Sequence, residues 1–120
     1  MASILVVEDD EAIAQMVKLI LGKHGHSLRH ALNGEEALRL VQKWPPDLII
    51  SDVMMPGLDG FGLAERLQEE PSTRHIPIIF VTALSQIEHL SHGLNLGAVD
   101  YLTKPFRGLE LEVRVNAALR

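Results

Sequence analysis

Three short aliphatic runs, Ile4 to Val7, Leu48 to Ile50 and Ile78 to Val81, constrain this chain more than any other feature. They are continuous rather than alternating. A strand that is apolar at every position has both faces buried, as in a parallel sheet covered by helices on either side. Weaker strand patterns stand at Ser27–Ala31 and Asp100–Thr103, and Arg29 and His30 mark the first of these as an edge strand. Amphipathic helices fill the gaps. Ile13, Met16, Val17, Ile20 and Leu21 recur at helical spacing, with His24 continuing the stripe and Gly25 placed to end it. Asn33 with Glu36 reads as an N-cap and its partner, and Pro45-Pro46 stop the helix that follows. Asp59 is placed to cap a helix carrying Leu63, Ala64 and Leu67. Ser85 with Glu88 reads as a further capping box, for a helix that ends before Gly97. The last helix carries Leu111, Val115, Ala118 and Leu119 and runs to Arg120, which is compatible with a longer parent chain.

The order is β-α five times, and 120 residues suit one domain, so 1–120 is read as a single unit. Five units are too few for an eight-stranded barrel. An α/β fold with an open, doubly wound, five-stranded parallel sheet remains. Such sheets bind ligands at the carboxyl ends of their strands, where the strand order reverses. Composition narrows the chemistry. Apolar residues at 47% against 22% charged fit a folded chain rather than a disordered one. Eleven basic against sixteen acidic residues give a net charge of −5, which argues against direct nucleic-acid binding. The lack of cysteine removes disulfides, thiolate nucleophiles and Cys-based metal sites, and fits a reducing, cytoplasmic setting. No apolar stretch approaches the ~20 residues of a membrane helix, and no basic leader precedes the first strand.

The carboxyl edge gathers a distinctive set. Glu8, Asp9 and Asp10 follow the first strand. Asp52, then Val53-Met54-Met55-Pro56-Gly57, follows the third. The fourth strand ends at Thr82-Ala83, and the fifth at Thr103-Lys104-Pro105. Taken singly, these residues have plain structural explanations. Asp and Thr cap helices, Asp precedes Pro-Gly turns, and a lone Lys is solvated. Asp10 is read as a cap. Taken together they demand more, because carboxylates within ~4 Å repel by roughly 4 kcal/mol per pair at an effective dielectric near 20. Such a cluster holds a proton or a cation. Oxygen ligands without His or Cys select Mg²⁺, Ca²⁺ or Mn²⁺. Thr82 and Lys104 opposite the metal would cradle phosphoryl oxygens. Asp52, alone at the end of the central strand, is then the candidate nucleophile toward phosphorus.

These residues resemble the receiver domain of two-component response regulators, the chemotaxis-regulator fold, over essentially the whole chain. The resemblance rests on Ile4-Leu5-Val6-Val7-Glu8-Asp9, on Asp47 through Asp52-Val53-Met54-Met55-Pro56-Gly57-Leu58-Asp59-Gly60, and on Pro77-Ile78-Ile79-Phe80-Val81-Thr82-Ala83. Gly97-Ala98-Val99-Asp100-Tyr101 and Lys104-Pro105-Phe106 complete it, in order and at compatible spacings. It implies the strand order 2-1-3-4-5 of this flavodoxin-like class. It implies that Asp52 is the phosphoacceptor, and that Asp9 holds Mg²⁺ directly, with Mn²⁺ able to substitute. Glu8 would act through water, and the backbone carbonyl of Met54 would be a further ligand. Thr82 and Lys104 would bind the phosphoryl oxygens, and Tyr101 would move inward as Thr82 turns toward the phosphate. Lys104-Pro105 matches a peptide bond that is cis in the family.

The implied partner is a sensor histidine kinase or a histidine phosphotransfer protein, whose phosphohistidine donates to Asp52. The implied readout is a population shift of the face made by the fourth helix, fifth strand and fifth helix. The domain signals rather than serving as an enzyme for other substrates, although it catalyses its own Mg²⁺-dependent phosphotransfer and dephosphorylation. Met54 and Leu84 flank the phosphoryl position and cannot hydrogen-bond an attacking water, which predicts slow self-dephosphorylation. Asp100, Glu110 and Arg114 offer charged contacts for a homodimer through the same face, against the plainer reading of solvated surface.

His24, His26 and His30 lack the Cys or HExxH company of a zinc site. His89 and His92, one helical turn apart, are read as surface, and Trp44 as a helix-end packing residue. A flavin carrier of this architecture would need a hydroxyl- and glycine-rich loop where Glu8-Asp9-Asp10-Glu11 stands. A phosphatase of the haloacid type would need a second Asp, which Asp52-Val53-Met54 lacks. A receiver-fold docking module that is never phosphorylated is the remaining alternative.

Overall fold

The structure, a computed structural model, describes all residues from 1 to 120. The elements alternate as β1 (Ser3–Val7), α1 (Glu11–Gly22), β2 (Ser27–Ala31), α2 (Gly34–Lys43), β3 (Leu48–Ser51), α3 (Gly60–Glu69), β4 (Ile78–Thr82), α4 (Ile87–Asn95), β5 (Asp100–Thr103) and α5 (Gly108–Ala118). All strands pair in parallel, in the order β2-β1-β3-β4-β5. The chain steps from β1 outward to β2, then crosses back to β3. The order therefore reverses between β1 and β3, and the carboxyl ends of those two strands carry Glu8 and Asp52.

The unbroken aliphatic runs divide residue by residue between two cores, because successive side chains point to opposite faces. Ile4, Val6, Leu48, Ile50, Ile79, Val81 and Leu102 meet Ala14, Val17 and Leu21 of α1 and Leu111 and Val115 of α5. Leu5, Val7, Ile49, Ile78, Phe80 and Tyr101 meet Ala37 and Val41 of α2 and Leu63, Ala64 and Leu67 of α3. Only β2, at the edge, alternates exposed and covered positions.

The caps hold where local chemistry alone decides. Asp10 accepts from the N–H groups of Ala12 and Ile13, Asn33 from Glu36, and Asp59 from Gly62. Glu36 reaches back to the Leu32 N–H. Three local expectations need correction. Helix α4 does not start from a Ser85 cap; Gln86 precedes its first residue and makes no side-chain cap bond. The segment just before is held by tertiary bonds instead, with the Leu84 N–H on Thr82 Oγ1 and the Leu84 carbonyl on the Tyr101 hydroxyl. In α1 the small Ala14 faces the sheet, and Met16 lies at the exposed margin of the stripe. His24 lies past the end of α1, where its Nε2 meets Glu112 Oε1 of α5 at 2.9 Å; the positive-φ glycine, Gly25, follows it. Trp44 packs at the end of α2 as expected, with the Arg29 guanidinium 4.9 Å above its ring.

Candidate functional site

The end of β3 fixes Asp52. Its N–H donates to the Val7 carbonyl of β1, and the Ser51 hydroxyl donates to the Asp52 carbonyl. The carboxylate divides its two oxygens. Oδ1 accepts the N–H groups of Val53 (2.7 Å) and Met54 (3.2 Å), while Oδ2 lies 2.9 Å from Lys104 Nζ. Helix α3 presses on the same residue. A Cβ on Gly60 would overlap the Asp52 carbonyl oxygen, so the first turn of α3 requires glycine there.

Glu8 is the second buried acid, only 4% exposed. Its backbone N–H still bonds Ala31, continuing the ladder one residue past β1, and its Oε1 lies 2.9 Å from Lys104 Nζ. Asp9 has left the ladder and is exposed. Lys104 thus stands between Glu8 and Asp52, delivered by the end of β5. Its backbone N–H bonds the Thr82 carbonyl, and the Lys104-Pro105 peptide is cis. Ligand oxygens of Glu8, Asp9 and Asp52 lie within 4.8 Å of one another. This is a hard-oxygen set that fits a divalent cation of the Mg²⁺ class.

Electrostatics follow from burial. Glu8 is raised to about 7, first by loss of solvent and then by the nearby Asp52 charge, against the opposing bond from Lys104. Burial disfavours the Lys104 ammonium, but its bonds to Glu8 and Asp52 outweigh that and hold its pKa above the ordinary value. Burial, with Asp52 nearby, also raises Tyr101.

Thr82 is fully buried at the end of β4. Tyr101 lies inward, 8% exposed, with its hydroxyl donating to the Leu84 carbonyl at 2.9 Å. The inward position that the resemblance tied to phosphate is therefore the one seen in this structure. Met54 is 60% exposed beside the pocket, and Leu84 is half-buried.

The structure gathers Glu8, Asp9, Asp52 and Lys104 as the sequence suggested, and stations Thr82 and Tyr101 behind them. Asp10 turns to its helix instead. Two features escaped sequence reasoning. Glu8, rather than Asp9, is the buried partner of Lys104. Gly60 is a packing requirement of the acceptor, signalled only by its place after the Asp59 cap.

Comparison with known proteins gives this geometry a family. Residues 4–116 match the response regulator receiver domain. The chain is 42% identical over all 120 residues to the transcriptional regulatory protein AfsQ1 of Streptomyces coelicolor, and covers 52% of that protein. Among solved structures, the signal receiver domain of a signal transduction histidine kinase from Syntrophus aciditrophicus superposes with a TM-score of 0.91 at 40% identity, covering 99% of this chain and 90% of that one. The chemotaxis response regulator CheY4 of Vibrio cholerae superposes with a TM-score of 0.92 at 34% identity, covering 99% of each chain. The chain spans about half the length of several curated relatives it matches. The chain belongs to the receiver domains of response regulators. It is a signalling domain of the phosphoacceptor class of two-component systems, and no helix is long and apolar enough to cross a membrane.

Proposed function

We propose that residues 1–120 act as one receiver domain in which Asp52 takes a phosphoryl group from a phosphohistidine. The observation that carries this is the division of the Asp52 carboxylate: Oδ1 is held by two N–H groups, and Oδ2 is turned toward the Lys104 ammonium. Oδ2 is the attacking oxygen. It forms the O–P bond as the donor N–P bond breaks, and the imidazole leaves with the electron pair. Lys104 stabilises the transferring phosphoryl oxygens, and the Thr82 hydroxyl turns from Leu84 toward them. Glu8, Asp9, Asp52 and the Met54 carbonyl are the ligands we assign to Mg²⁺, or to Mn²⁺ in its place. The cation would offset the crowded negative charge of acids and phosphoryl group. Water later attacks phosphorus and releases inorganic phosphate. This step is slow, because Met54 and Leu84 offer the attacking water no hydrogen bond.

The partners that fit are a sensor histidine kinase or a histidine phosphotransfer protein, in the cytoplasm. The readout face is α4-β5-α5, where exposed Leu109 and Val113 suit a homodimer. Arg114 and Asp100, considered for contacts across that dimer, pair within the chain at 3.3 Å. Nothing in this reading requires the domain itself to touch nucleic acid.

The test is an intact-mass measurement after incubation with acetyl phosphate, with and without Mg²⁺, beside Asp52→Asn. One added phosphoryl group that requires both Mg²⁺ and Asp52 is expected, with a lifetime far beyond seconds. If nothing adds and beryllofluoride also fails to bind, the chain is a docking module of receiver fold.

A further inference from the structure

The open edge of the sheet carries a charge pattern that the phosphoryl site does not use. A groove of about 520 Å³ runs along the outer side of β2, lined by Lys18 of α1, Arg29 and His30 of β2, and Glu36, Arg39 and Lys43 of α2. Four of the chain's eleven lysines and arginines meet here, in a chain of net charge −5. None of the four has a carboxylate within 4.0 Å. The acids best spaced along α2 to neutralise Arg39 are Glu35 at i−4 and Glu36 at i−3, and both are engaged elsewhere. Glu35 Oε2 accepts the Leu58 N–H at 3.0 Å, and Glu36 Oε1 accepts the Leu32 N–H at 3.4 Å. Arg39 and Lys43, at i and i+4, repel each other. His30 is also engaged, its Nε2 lying 2.7 Å from the Glu8 carbonyl oxygen.

The strand that borders the groove has a free outer edge, and His30 of that strand lines the groove. β2 is the last strand of the sheet. The Ser27 N–H bonds the Ala2 carbonyl, and the Glu8 N–H bonds the Ala31 carbonyl. In a parallel ladder these two bonds turn Ser27, Arg29 and Ala31 toward β1 and leave the N–H and C=O of Leu28 and His30 facing outward. Arg29 stands on the strand itself, where a charge guards an edge against pairing. Lys18, Arg39 and Lys43 stand on the flanking helices.

We propose that this groove receives an extended, acidic polypeptide segment of a partner protein. The segment adds to β2 as a sixth strand, and its carboxylates meet Lys18, Arg29, Arg39 and Lys43. A nucleic-acid strand would meet the cations but has no use for the outward backbone groups, so the peptide is the occupant that accounts for both features.

The test is amide exchange and chemical-shift titration of the ¹⁵N-labelled chain. The probes are a peptide alternating Glu with Val and Thr, a length-matched peptide alternating Lys with Val and Thr, and a single-stranded oligonucleotide. Arg39→Glu with Lys43→Glu is the variant, and its phosphorylation by acetyl phosphate, matched to that of the unmodified chain, reports that it is folded. Only the Glu peptide is expected to slow exchange at Leu28 and His30, and its affinity should fall about tenfold or more in the double variant and decrease with added salt. Three results overturn the proposal: shifts at the basic side chains without protection of Leu28 and His30, equal protection by the Lys peptide, or oligonucleotide binding as tight as that of the Glu peptide. Undiminished affinity in a folded double variant overturns it as well.

Discussion

Helices α3 and α4 follow the two central strands of the same site, yet they are held in opposite ways. Helix α3 begins on a side-chain cap from Asp59, packs Gly60 directly on the Asp52 carbonyl, and buries Leu63, Ala64 and Leu67. Helix α4 has no side-chain cap, and its one buried residue is Gly93, which sits against Phe61, Phe80 and Tyr101. A glycine inside a helix costs about 1 kcal/mol relative to alanine, so α4 is weak in itself and leans on its aromatic neighbours. The acceptor side of the pocket is thus rigidly placed, and the readout side is lightly held. A switch needs that division. The acceptor keeps its geometry through the chemistry, while a neighbouring element with few buried contacts changes its population.

The contrast is most exposed to a change at Gly60. Gly60→Ala forces a methyl group into the Asp52 carbonyl, and overpacking of this kind costs about 1–3 kcal/mol. Urea unfolding should register that loss, with slower phosphorylation of Asp52. Gly93→Ala should be much milder, because its Cβ meets only side-chain atoms at 3.1–3.3 Å, and the gain in helix propensity offsets the crowding. Equal losses at the two glycines would erase the distinction.

The caps give a second, smaller contrast. Asp59→Ala should cost about 1 kcal/mol, the usual value of a lost N-cap. Ser85→Ala should stay within about 0.5 kcal/mol, since Ser85 caps nothing. A Ser85 effect as large as that of Asp59 in thermal or urea unfolding would restore the capping box that the structure removes.

The pocket also sets a pH dependence. A carboxyl with a higher pKa in the folded chain than in the unfolded one holds its proton more tightly when folded. Its contribution to stability is complete below the ordinary value of 4.5 and is lost as pH rises through about 7. Metal binding runs the other way, because a cation competes with that proton. Mg²⁺ affinity measured by calorimetry should therefore rise between pH 6 and 8 in the chain, and Glu8→Gln should flatten much of the rise. Tyr101→Phe removes one hydrogen bond to the Leu84 carbonyl and should cost about 1 kcal/mol in urea unfolding.

Much of this was legible in the sequence because it follows from local rules. Continuous aliphatic runs marked the central strands, Arg29 and His30 marked the edge, and the residues ending each strand named the acids, Thr82 and Lys104. Three features were hidden because competition in three dimensions decides them. Ser85 and Glu88 have the spacing of a capping box, but bonds from Thr82 and Tyr101 hold the chain at Leu84, and the helix begins later. Glu8 and Asp9 are neighbours of similar chemistry. Only the extra ladder bond from Glu8 to Ala31 sends one side chain inward to Lys104 and leaves the other in solvent. The demand at Gly60 depends on how closely α3 approaches β3, which no local pattern states.

Amide hydrogen exchange on the chain with and without Mg²⁺ and beryllofluoride, a phosphoryl mimic, tests the division between a fixed acceptor and a lightly held readout most directly. The account predicts that protection changes across α4 and β5, around Leu84, Gly93 and Tyr101, while α3 from Gly60 to Leu67 stays as it was. Equal changes in α3 and α4, or a response confined to α3, would contradict it.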